Sequence, residues 1–160
     1  MTGDAFGWLR TNATRYDAVI VDLPDPDETA TAKLYSVEFY ALAARALTPG
    51  GRMVVQAGSP YFAPLSFWCI DASVRAAGFA TTPYHVDVPS FGDWGFVLAA
   101  AGTEPPRPQL DTPAALRSLD ADSLAAATVF PVDRRRVPVA PTTLMKPSIL
   151  EHARSERRGY

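Results

Sequence analysis

With 160 residues, 48% of them hydrophobic and 20% charged, the chain has the length and composition of one globular domain with a real core. Its formal net charge of −2 excludes the basic footprint expected of a nucleic-acid or anionic-membrane binder. A single cysteine, Cys69, excludes an internal disulfide framework and favours a reducing compartment, the cytoplasm; in its apolar setting it reads as a packed thiol. No stretch approaches the roughly 20 apolar residues of a membrane span, and the start lacks the pattern of a signal peptide.

Asp4 is positioned to cap a short amphipathic helix from Ala5 to Asn12, with Phe6 and Leu9 on one side. D-A-V-I-V-D, from Asp17 to Asp22, is a short β-branched apolar run of the kind found in buried parallel strands. Residues 23–30 are turn-forming. Ser36, Glu38 and the apolar set Val37, Phe39, Tyr40, Leu42, Ala43 and Leu47 predict a helix stopped by Pro49-Gly50-Gly51. Arg52 to Gln56 reads as a second strand, and Leu65 to Ala77 as a helix closed by Gly78.

Tyr84 to Val88 and Trp94 to Ala99 then read as strands joined by the turn P-S-F-G-D. The alternation predicts an α/β sheet, parallel at first and ending in a hairpin-linked pair, which is how the Rossmann-like methyltransferase fold ends. Beyond Gly102 the texture changes to the proline-rich E-P-P-R-P-Q-L-D-T-P, a helix-sized stretch from Ala114 to Ala127, the basic P-V-D-R-R-R-V-P and a last helix from Ser148 to Arg158. Residues 1–102 are therefore expected to form the sheet-containing part, and 103–160 a linker with a helical extension. Arg134-Arg135-Arg136 suits a phosphate or acidic partner, or more simply a solvated turn.

Open α/β sheets bind ligands at the carboxyl ends of their strands. Asp22 and Asp25 follow one such end, Gln56 closes the next strand, and Phe91 and Asp93 lie in the later hairpin, so these residues can converge on one crevice. Two carboxylates on a proline-stiffened turn suit a cationic substrate, or an amine that must lose a proton before attacking. The structural alternative has Asp25 capping the turn and Asp22 bonding loop amides. His85 and His152 lack a second ligand at metal spacing, so no metal site is expected. Neither a G-x-S-x-G elbow nor a P-loop occurs, and D-L-P-D-P matches the D-P-P-Y motif of amino-group methyltransferases poorly.

The stretches Y-D-A-V-I-V-D-L-P-D-P…K-L-Y-S-V-E-F-Y, L-T-P-G-G-R-M-V-V-Q-A-G-S-P and V-P-S-F-G-D-W-G-F together resemble the polyamine aminopropyltransferases, typified by spermidine synthase. The tail T-T-L-M-K-P-S-I-L-E is similar to the bacterial branch whose synthase domain is joined to membrane helices. The resemblance implies a Rossmann-like S-adenosylmethionine-dependent methyltransferase fold, here incomplete at its N-terminal strands and glycine-rich loop. It implies transfer of the aminopropyl group of decarboxylated S-adenosylmethionine, a co-substrate, to a diamine such as putrescine, with no resident cofactor or metal. Asp22 matches the catalytic base, Asp25 the amine-binding aspartate, Gln56 and Phe91 further substrate positions, and Asp4 with Ala5 the adenine contact.

Leu23-Pro24 stands where the family has a small Ser-Ser pair, Glu28-Thr29 where it often has Gly-Pro, and Phe91 where it has a tyrosine. The chain contains no G-x-G. The family's glycine-rich strand and N-terminal β-domain would precede Asp4, so the strand at 17–22 is expected to carry an open apolar edge suited to homo-oligomers or other association. The polypeptide alone is then expected to turn over little. A non-catalytic protein acting through that edge, and an amine methyltransferase of the same fold, are the alternatives.

Overall fold

The computed structural model describes residues 3–111 and 116–158. Helix α1 (Ala5–Thr11) begins at Asp4, whose carboxylate accepts from the amides of Phe6 and Gly7 at 3.3 Å each. Phe6 and Leu9 face the core, with the Phe6 ring 6.0 Å from that of Phe39, as the apolar spacing predicts. Strand β1 (Tyr16–Val21) follows. After the proline-containing turn come α2 (Thr29–Ala32), a 3₁₀ turn (Lys33–Tyr35) and α3 (Val37–Arg45), capped by Ser36 through its bond from the Phe39 amide.

Strand β2 (Leu47–Gln56), helix α4 (Pro64–Ala76), and strands β3 (Phe79–Val88) and β4 (Gly92–Ala101) complete the sheet-containing part. Strand order is β1-β2-β4-β3, with β1 and β2 parallel and β4 antiparallel to both its neighbours. The hairpin thus folds back and inserts its second strand beside β2, as expected for the end of a methyltransferase-type sheet. All three later strands start earlier than their apolar runs. Leu47 pairs with Tyr16 despite the intervening P-G-G, and Phe79 to Pro83 pair with Ala101 to Val97. Gly78, at a φ of +96°, ends α4 as predicted.

One sheet face makes the core: Met53, Val55, Val97 and Ala99 are buried there against Phe39, Tyr40, Phe67 and Ile70. Helix α4 is buried at every residue from Ser66 to Val74. Such all-round burial needs cover on both sides. The sheet gives one side; the C-terminal segment gives the other, through Phe130, Val137 and Val139 and helix α6 (Ser148–Arg157), whose Ile149 and Leu150 join the core. Phe130, Val137, Val139 and α6 therefore tie the segment after Gly102 to the sheet and α4.

Two sequence readings need correction. Of the run predicted as helix from Ala114 to Ala127, residues 114 and 115 lie outside the described residues and Leu116 to Asp120 are not helical. Helix α5 is only Ala121–Ala126, because Asp120 and Ser123 form a capping box that starts it there. The run at β1 is not buried as its composition suggests. Among the described residues β1 pairs with β2 alone, only Val21 is buried, and Ile20 is 80% exposed. This is the open apolar edge that the resemblance led us to expect.

Candidate active site

The turn that follows β1 is held from beneath by Tyr35, a buried residue of the 3₁₀ turn. Its hydroxyl donates to the Pro24 carbonyl at 2.8 Å, with the Leu23 carbonyl at 3.2 Å. Burial, and then the negative charges of Asp25, Asp22 and Asp27, hold this phenol well above the ordinary tyrosine value, so it remains a donor. The turn accordingly presents three carboxylates outward around one neutral hydroxyl. Asp22 and Asp25 are exposed and Asp27 is half-buried.

Behind the turn lies a cavity of about 450 Å³ at the carboxyl ends of β1 and β2. Asp25 and Gln56 both line it, beside Tyr35, Phe62, Ile70 and Trp94. Its walls are mainly apolar, with carboxylates confined to the edge: Asp25 on one element and Glu156 on α6. The turn after β2 is fixed by backbone bonds to β4, from the Gly95 amide to Gly58 at 2.7 Å and from the Ala57 amide to Gly95 at 2.9 Å. A side chain at Gly95 would sit 2.4 Å from the Phe67 ring, so only glycine lets the two backbones approach there.

The other predicted site residues lie around this cavity. Asp22 directly follows β1 but is not among the lining residues; no hydrogen bond or ion pair reaches its carboxylate among the described residues. Phe91 is 63% exposed in the hairpin turn and packs 5.2 Å from Trp94, which lines the cavity in its place. Asp4 and Ala5 lie at the start of α1, outside the lining. Lys33 reaches Asp4 at 3.2 Å and, with the two helix amides, holds its carboxyl below the usual aspartate value. The 3₁₀ turn that contains Lys33 ends in Tyr35, which links Asp4 to the cavity wall.

Asp93 does not converge on the crevice. It accepts from His85 Nδ1 at 2.6 Å and from Arg134 at 2.8 Å, on the side of a second hollow of about 970 Å³ between the hairpin and α5. The basic R-R-R run is in part the solvated turn expected, with Arg135 and Arg136 exposed, but two of its guanidinium groups are paired. Arg134 lies over the Tyr61 ring, and Arg136 lies over Trp68 and pairs with the fully buried Asp71. Cys69 is buried as predicted, and burial pushes its thiol up to about 12. Among the described residues, no group of three or more His, Cys, Asp or Glu side chains is arranged to hold a metal.

Sequence reasoning missed the contribution of α6. Glu156 accepts from the Leu65 amide at 2.6 Å, the Ser66 amide at 3.2 Å and the Ser66 hydroxyl at 2.7 Å, capping α4, whose own Ala63 cannot do so. Arg157 places Nη1 2.6 Å from Asp27 and Nη2 3.4 Å from Asp25. Asp25 therefore neither caps its own turn nor faces solvent alone. No local pattern signals these contacts, which join residues 90 to 132 positions apart.

A sheet ending in this reversed hairpin, with an acidic turn and a strand-ending glutamine at one cavity, defines a methyltransferase-like α/β protein. The chain belongs to the spermine/spermidine synthase domain family, whose model matches residues 1–111. It is 57% identical over 162 residues to polyamine aminopropyltransferase 1 of Streptomyces coelicolor, a match that covers all of this chain and 30% of the relative. It is 56% identical over 155 residues to the polyamine aminopropyltransferase of Mycobacterium tuberculosis, covering 94% of this chain and again 30% of the relative. The chain thus spans about 30% of the length of these curated relatives.

Among solved structures, a spermidine synthase in complex with the transition-state analogue AdoDATO superposes with a TM-score of 0.69 at 20% identity. That match covers 82% of this chain and 47% of the other. Spermidine synthase from Thermotoga maritima gives 0.67 at 21% identity, covering 82% and 46%. At these identities the likeness speaks for the fold. The methyltransferase-like fold and the family anticipated from the three motifs are thereby established.

Proposed function

We propose that this chain supplies the amine side of an aminopropyl-transfer site, of the kind that moves an aminopropyl group from decarboxylated S-adenosylmethionine to a diamine such as putrescine. The observation that carries the reading is the joint placement of Asp25 and Gln56, from the ends of neighbouring parallel strands, on one apolar-walled cavity beside Trp94. An alkyl diamine needs such a mixture: apolar walls for its methylenes and carboxylates for its ends. Asp25 anchors one ammonium. Phe91 acts through Trp94, and Asp4 with Ala5 belongs to the nucleoside side.

Asp22 takes the proton. An alkylamine with a pKa near 10 is almost wholly protonated at neutral pH, so its nitrogen has no lone pair until a base removes a proton. The freed nitrogen attacks the aminopropyl carbon beside the sulfonium. The C–N bond forms, the C–S bond breaks with its electron pair going to sulfur, and methylthioadenosine leaves. Attack moves the positive charge from sulfur to nitrogen, and the new secondary amine leaves as its ammonium, as its pKa near 10 requires. Asp22 passes to solvent the one proton it took, so charge balances, and no step needs a metal.

We place this chemistry in the cytoplasm; no helix among the described residues is long and apolar enough to cross a membrane. The exposed β1 edge, with Ile20 outermost, is the surface through which the chain associates. The test is calorimetric titration of putrescine into the chain and its Asp25→Asn variant. Saturable binding that the substitution weakens about tenfold, as removal of a charged hydrogen-bond partner should, supports the reading. Equal binding by the two chains overturns it.

A further inference from the structure

Helix α6 lies beyond the residues matched by the family model, yet Ala153, Glu156 and Arg157 form a wall of the cavity. The helix is firmly seated. Ile149, Leu150 and Ala153 are buried, and Glu156 is bound to three donors at the start of α4. Arg157 is different: its side chain is 56% exposed and bridges the Asp27 and Asp25 carboxylates across the cavity edge. A guanidinium and a primary ammonium are both cationic hydrogen-bond donors, and carboxylates recognise either. Arg157 therefore occupies the place that the ammonium of an entering amine would take.

We propose that Arg157 is a resident counter-ion of the amine site, which an incoming amine must displace from Asp25, and that it thereby selects ligands by their charge. This rests on the reading of the cavity as an amine site. Exposed ion pairs are weak, so exchange with a ligand cation is easy. It requires only that the Arg157 side chain swing away, because Glu156 and the buried face keep the helix in place. Once displaced, the guanidinium remains beside the cavity and opposes each further positive charge on the ligand. The triamine spermidine is disfavoured more than the diamine putrescine.

The test titrates putrescine and spermidine by calorimetry at about 0.15 M ionic strength, where the screening length is about 8 Å, into the parent chain, Arg157→Gln, and Arg154→Gln, which removes one exposed charge from the same helix. Arg157→Gln should tighten putrescine roughly 2- to 5-fold, the scale of an exposed ion pair, and spermidine by a larger factor. Arg154→Gln should change either by less than about half as much, because exposed charges are screened within a few residues. Unchanged or weakened putrescine binding in Arg157→Gln overturns the proposal and makes Arg157 a support of the turn. Tightening no greater for spermidine, or reproduced by Arg154→Gln, also overturns it. Binding of putrescine to neither the parent nor Arg157→Gln would instead sink the amine-site reading, and this inference with it.

Discussion

The aspartates of the turn after β1 and those beneath the C-terminal segment are the same residue put to opposite uses. Asp71 is fully buried and meets Arg136, Arg75 at 3.2 Å and the Thr81 hydroxyl at 2.7 Å; Asp93 is held by His85 and Arg134. The donors around Asp71 cannot leave without stranding a buried carboxylate, and the half-buried Asp93 is held at both of its oxygens. Asp22, Asp25 and Asp27 sit at the surface on a turn stiffened by proline, and one exposed guanidinium reaches two of them. Charge that is fully matched and buried holds a fold together, whereas charge that is loosely matched at a cavity edge remains open to a ligand.

The largest effect that can break this contrast belongs to Asp22. In an aminopropyl-transfer assay that reads methylthioadenosine release from a chain extended to the length of the curated relatives, Asp22→Asn should lower turnover by about 10²- to 10⁴-fold relative to the same chain with Asp22, the usual worth of a general base. It should leave the urea midpoint unchanged. A normal rate would remove Asp22 from the chemistry. Asp71→Ala should behave in reverse. It leaves two guanidinium groups and Thr81 without their common partner and should cost about 3 kcal/mol in urea unfolding, whereas a loss below about 0.5 kcal/mol would mean that the buried network is not structural.

Glu156 sharpens the comparison, since it is a carboxylate at the cavity that does a structural task. Glu156→Ala should cost about 1–2 kcal/mol of stability, the worth of a helix cap, measured by thermal or urea unfolding. A smaller pH effect follows from Cys69 and Tyr35. Both are held above their ordinary values, so the unfolded chain gives up these protons first, and the stability they add is complete below pH 9. Unfolding temperature should therefore fall as pH rises from about 9 towards 12, and a flat profile would contradict their burial. Smallest of all is Tyr40→Phe. The Tyr40 hydroxyl is buried with no hydrogen-bond partner among the described residues, so its removal should change stability by less than about 1 kcal/mol, with stabilisation the expected sign.

Periodicity and turn chemistry made α1, α3, α4, α6 and the strand–helix alternation legible, because those signals are local. Asp25 and Gln56 were legible for a related reason: Gln56 closes β2, Asp25 lies on the turn after β1, and the sheet itself brings those strand ends together. Trp94 was hidden because it lies in the same motif as Phe91, and only the pleat decides which of two nearby aromatic residues faces the cavity. The arginines at 134 and 136 read as a solvated turn because their partners, Asp93 and Asp71, are 41 and 65 residues away. The open edge of β1 was anticipated only through the family comparison, since V-I-V has the same composition whether or not a neighbour covers it.

The bond from Glu156 to the amides of Leu65 and Ser66 also bears on the order in which the chain can fold. Those amides leave the ribosome some 90 residues before the carboxylate that satisfies them. During synthesis, α4 must begin with its first turn open to water, and its amino end settles only once Glu156 has been made. Closing so long a loop is slow. The cavity wall at Ser66 is then among the last parts of the molecule to form, so a nascent chain carries the acidic turn well before it has a site for anything to bind.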